Sequence, residues 1–72
     1  MNDGLKRYAV KFRADVDAQA IATLEARVGV EAIRRIAPLR VAVYALSEEA
    51  ALALTREPSV EYVEEERTMT IR

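Results

Sequence analysis

RVAVYAL (residues 40–46), with SEEAALALTREP (47–58) and SVEYVEEE (59–66) behind it, decides the fold. The first run is β-branched and aromatic, a composition that packs well on a pleated surface, and it is the clearest strand in the chain. Ser47 supplies an N-cap oxygen for the helix that follows. Glu48 and Glu49 stand in its first turn, where the helix dipole favours anions. Ala50, Ala51 and Leu54 give its buried stripe, and Pro58 ends it. Residues 60–66, VEYVEEE, then form a last strand.

A similar succession lies upstream. Residues 5–13, LKRYAVKFR, alternate, with Tyr8, Val10 and Phe12 on one face and Lys11 and Arg13 on the other, the period of a half-buried strand. Asp15 and Asp17 both offer N-cap oxygens to the next element. From Ala18 the apolar period lengthens to that of a helix, with Ala18, Ile21, Leu24 and Val28 on one stripe. Gly29 stands where such a helix wants a left-handed residue, so the helix covers residues 17–28. Residues 30–37, VEAIRRIA, carry no cap of their own and read as a strand, and Pro38-Leu39 marks a turn.

The order is therefore β-α-β-β-α-β. Two right-handed split crossovers of this kind close into an α+β, ferredoxin-like sandwich. Its four-stranded antiparallel sheet has order 4-1-3-2, with both helices on one face. The domain takes residues 1–67. Residues 68–72 (Thr68, Met69, Thr70, Ile71 and Arg72) carry no turn or helix signal and leave as an extended tail.

Composition narrows the function. A chain of 72 residues is one small domain. At this size it buries only about 60% of the surface its unfolded form exposes, so its stability is marginal. Cysteine and histidine are both absent, which excludes a disulfide scaffold, a thiol nucleophile, an imidazole base and the usual zinc ligand sets. Without histidine, Ser47, Ser59 and the threonines have no partner for a Ser-His-Asp site, and the chain reads as a non-enzyme. Eleven basic residues against twelve acidic ones lack the footprint of a nucleic-acid binder. The longest apolar run, Val41 to Leu46, is far short of a membrane span. Asn2, Asp3, Gly4, Lys6 and Arg7 leave no room for the apolar core of a signal peptide. Gly4 and Gly29 are isolated and form no phosphate loop, and no cofactor is expected. Glu64, Glu65 and Glu66 are adjacent on a strand, so they alternate between faces, and no loop of ligands surrounds them for a metal.

One face of the sheet is left bare. The strand at 40–46 is apolar on both parities, with Val41, Val43 and Ala45 on one and Ala42, Tyr44 and Leu46 on the other. Whichever set faces the helices, the other is exposed. It is either leftover apolar surface or a protein-binding patch. Tyr8 and Phe12 read as core.

The run LSEEAALALTREPSVEYVEEE, residues 46–66, resembles the C-terminal half of subtilisin propeptides and their stand-alone inhibitor relatives, and EPSVEYVEEE is its most specific part. YAVKF, residues 8–12, looks like that family's first strand. The resemblance implies the same βαββαβ sandwich. It implies a sheet that packs on two parallel surface helices of a subtilisin-like serine protease, one-to-one, the chain being otherwise a monomer. It implies a tail, Thr68 to Arg72, that occupies the substrate cleft as a product would. Arg72 then falls next to the scissile bond and Met69 at an apolar subsite. Five extended residues reach about 17 Å, and their free backbone groups suit strand addition to the cleft edges. By the same route Glu64 and Glu66 match carboxylates that cap protease helix N-termini, where unpaired N–H groups meet a partial positive charge. Glu65 points the other way. Without the resemblance, all three glutamates read as an edge strand kept soluble by charge.

Arg72 is basic where many members end in an aromatic or aliphatic residue, which suits a protease that accepts basic residues. Leu52 and Ile33 stand where relatives often carry polar residues. The expected function is inhibitor and intramolecular folding chaperone of a subtilisin-like protease. The alternatives are a stand-alone inhibitor encoded without a protease and, in another class, a ferredoxin-like small-ligand regulatory domain. Secretion with the protease goes with the first and a cytoplasmic location with the second.

Overall fold

Alternation and capping build the elements in the order β1 (Lys6–Phe12), α1 (Ala18–Val28), β2 (Ala32–Ile36), β3 (Val41–Leu46), α2 (Glu48–Thr55) and β4 (Val60–Glu65). The computed structural model describes residues 5–66. All pairings are antiparallel, and the sheet order is β2-β3-β1-β4. This is the expected 4-1-3-2 sheet counted from the other side. Each crossover skips one strand: β1-α1-β2 passes over β3, and β3-α2-β4 passes over β1.

The caps lie where the side chains dictate. Of the two candidate aspartates, Asp17 caps α1, accepting from the Ala20 N–H at 2.8 Å. Asp15 lies in the preceding turn beside Arg13. Gly29 ends α1 at φ 82°, the left-handed conformation that its missing Cβ allows without strain. The N–H groups of Gly29 and Val30 both return to the Glu25 carbonyl. Ser47 Oγ accepts from Ala50 N–H at 3.1 Å, with Glu48 and Glu49 in the first turn of α2. β2 is shorter than residues 30–37, and its register shifts between Ala32 and Arg34. A second shift, between Lys11 and Phe12, marks the pairing of β1 with β4. A 3-10 turn, Ala37–Leu39, joins β2 to β3, with Arg40 at φ 55°.

The core lies between the sheet and the two helices. Tyr8, Val10 and Phe12 from β1 meet Ala42, Tyr44 and Leu46 from β3, Leu24 from α1, Ala51 and Leu54 from α2, and Val60 from β4. Ile21 and Val28 pack against this cluster half-buried. Ala18, read as part of the stripe, is exposed in the first turn of α1. Leu52 and Ile33 are both exposed and add nothing to the core.

One polar cluster closes the core. The Tyr44 hydroxyl donates to Glu25 Oε2 at 2.6 Å, and Arg35 donates to Glu25 Oε1 at 2.9 Å, tying α1 to β3 and β2. Burial raises the pKa of Glu25, but hydrogen bonds from Arg35 and Tyr44 outweigh it and hold the carboxyl below its ordinary range. Burial first, and then Glu25, push the Tyr44 hydroxyl above the usual tyrosine value. A carboxyl depressed in the folded state contributes stability that is fully present above its unfolded pKa and is lost as pH falls through its folded pKa. Thermal melts followed from pH 7 downward should therefore lose stability below about pH 4.5, the ordinary value for Glu25. Glu25→Gln should flatten that acid limb. Tyr44→Phe should cost about 1 kcal/mol at pH 7, the net worth of one hydrogen bond. Identical acid limbs for wild type and Glu25→Gln would remove Glu25 as their source.

Candidate protein-docking face

The register sorts the side chains onto two faces. Tyr8, Val10 and Phe12 face the helices, so Arg7, Ala9 and Lys11 face away. In β3, Ala42, Tyr44 and Leu46 face the helices, leaving Val41, Val43 and Ala45 on the open side. Three rows cross the open face. Arg34, Val43, Ala9 and Glu64 stand side by side in the first. Ile36, Val41, Lys11 and Tyr62 make the second. In the third, Arg7 is paired with Ala45, and its carbonyl accepts from the Glu66 N–H at 2.8 Å.

The open face is less bare than its parity suggests. Val43 is only 3% exposed and Val41 is half-buried, while Ala45 is exposed. The expectation that the whole second set is exposed is corrected here. A central-strand valine flanked in register by Ala9 and Arg34 is covered by its neighbours on both sides. The result is a shallow apolar strip with Tyr62 standing 45% exposed at its border and charged side chains around it.

Glu64 and Glu66 lie on this face with Tyr62, and both are exposed. Glu65, opposite Tyr8, turns to the helix side, where one carboxylate oxygen lies 3.9 Å from Lys6 Nζ. Thr68, Met69, Thr70, Ile71 and Arg72, with the domain boundary at residue 67, lie outside the described residues. Among the described residues no group of three or more metal-ligating side chains is present, and no helix is long and apolar enough to cross a membrane. Gly29, the glycine within them, is spent on the helix cap and lines no ligand-binding turn.

A comparison with protein-family models finds a match over most of this chain. The model of the fervidolysin N-terminal prodomain matches residues 9–66. The chain belongs to this family. The match takes in both helices and every strand except the first residues of β1, and the family is one of subtilisin-type propeptides. No curated protein matches the chain. The family points to a regulatory propeptide of a subtilisin-like protease.

Tyr62, Arg7 and Arg34 carry no functional motif in the sequence of this fervidolysin-type prodomain that singles them out, and Lys11 reads there only as part of the outward face of β1. For Tyr62 a parity signal is present, because it shares the parity of Glu64 and Glu66. For Arg34 it is not, since the shift between Ala32 and Arg34 sets which side that residue takes.

Proposed function

We propose that this prodomain inhibits a subtilisin-like serine protease one-to-one and, when joined to it, assists its folding. The open sheet face, apolar at its centre and ringed with charge, is the observation that carries this reading. It suits a cover of two surface helices. Packed helices lie about 8–10 Å apart, and a row across four strands measures about 14 Å, so a pair of helices fits beneath one row. Glu64 and Glu66, exposed on the same border, are suited to cap the N-termini of those helices. The tail, Thr68 to Arg72, enters the substrate cleft as an added strand and leaves the non-primed subsites filled, as product does. Holding two helices together before the rest of the protease docks would lower the entropy cost of its folding. The same contacts then block the finished enzyme.

The test is an inhibition assay of the isolated chain against subtilisin-like proteases. Inhibition should saturate at one equivalent and be relieved by peptide substrate; inhibition insensitive to substrate would remove the tail from the cleft. Glu64→Ala and Glu66→Ala should each weaken binding by about 1–3 kcal/mol, the range for charge-assisted hydrogen bonds at an interface. Glu65→Ala, on the helix side, should change it little. Equal effects from all three would mean diffuse electrostatics, which high salt abolishes.

A further inference from the structure

The two faces of the sheet treat their charges differently. On the helix side the long-range pairs are made within the chain, Lys6 with Glu65, Arg27 with Glu57 and Arg35 with Glu25. On the open face Arg7, Lys11, Arg34, Glu64 and Glu66 make no ion pair among the described residues. Arg7 and Lys11 adjoin β4, whose carboxylates they can meet by a change of rotamer. Arg34 cannot. It stands on the outermost strand, in the row Arg34–Val43–Ala9–Glu64, so Glu64 is three strand spacings away, about 14 Å. Glu25 is engaged by Arg35 and Tyr44, and Glu31, the carboxylate nearest Arg34 in sequence, makes no ion pair among the described residues. A partner that covers Val43 also covers the arginine beside it. A guanidinium does not lose its proton, and one desolvated without a counter-charge opposes binding.

We propose that the protease surface covering this sheet presents a carboxylate to Arg34, on the side of the footprint opposite Glu64 and Glu66, and that this pair selects among proteases sharing the docking helices. The inference rests on the propeptide reading. The row then reads cation, apolar, apolar, anion across the four strands, and it admits one orientation of a helix pair that carries the reverse order.

The chain is assayed against a panel of subtilisin-like proteases that includes mature fervidolysin, and the variants are measured on the most strongly inhibited member. Arg34→Glu should raise the inhibition constant by about tenfold or more at low salt, the scale of one charge-assisted hydrogen bond. Arg34→Gln, which matches the glutamate variant in size but carries no charge, should raise it less and flatten its salt dependence. Arg56→Glu, at the end of α2 on the other side of the domain, should leave it unchanged. Circular dichroism melts of the variants separate lost binding from lost fold. Equal constants for Arg34→Glu and Arg56→Glu, with wild type inhibiting, would overturn the Arg34 assignment alone. If wild type inhibits no member of the panel, the proposed inhibitory function fails and this inference fails with it.

Discussion

A chain cut after Thr68 should lose most of its inhibition and still melt at the temperature of the full-length domain. Among the described residues the core cluster draws on Tyr8 to Val60, and Val63 is the last side chain packed against it. Residues 69–72 extend about 13 Å, enough to add several strand hydrogen bonds to a cleft. At about 1 kcal/mol each, with about 2 kcal/mol for burying the Met69 side chain, these contacts are worth roughly a thousandfold in Kd. Inhibition assays and far-UV circular dichroism on the same truncated chain make the measurement. Unchanged inhibition would assign all affinity to the sheet face. A lost melting transition would make the tail a structural element.

Leu54→Ala should remove a large share of the domain's stability. Leu54 is 1% exposed and lies where α2 meets the sheet. Leucine-to-alanine changes at such sites cost about 2–5 kcal/mol, because the cavity left behind collapses only partly. Domains of this size hold roughly 4–11 kcal/mol in all. The wild-type chain is expected to fold without its protease and to melt cooperatively, since Asp17 and Ser47 cap both helices. At a cost of about 3 kcal/mol the melting temperature should fall by roughly 12–24 °C. Inhibition should weaken only by the fraction of chain left folded, because the contact face itself is untouched. Leu52→Ala, 55% exposed on the same helix, should stay within about 0.5 kcal/mol of wild type. Equal losses from the two variants would contradict the orientation of α2. A coil-like wild type that gains structure only with protease would refute autonomous folding.

The fold was largely legible because its signals are local. Ser47 and Asp17 cap within their own turns, Gly29 stops a helix at its own position, and the alternation of Tyr8, Val10 and Phe12 needs no partner strand to be seen. The pairing of Glu25 with Tyr44 and Arg35, and of Arg27 with Glu57 at 2.8 Å and 2.9 Å, was not legible. Those contacts join residues brought together only after the layers pack, and no spacing announces them. The burial of Val43 was missed for a similar reason. Parity gives the face of a side chain, while its cover depends on Ala9 and Arg34 in two other strands. On the open face, parity places Glu64 and Glu66 together, whereas the register shift ahead of Arg34 hides its side.

Both register shifts fall on outer strands, where they spoil the rims of the sheet as templates for pairing. The outward row of N–H and C=O groups on β2 is broken near Ile33, and that of β4 near Glu61. Both rows also carry charge, arginines on one and glutamates on the other. Two like borders repel, and a β2 border meeting a β4 border finds attraction between side chains but no straight ladder to zip. A head-to-tail filament, which opposite charges on two ends of a sheet would otherwise invite, is thereby denied its backbone. Among the described residues the sheet has four strands, and both of its rims are poor templates for a fifth.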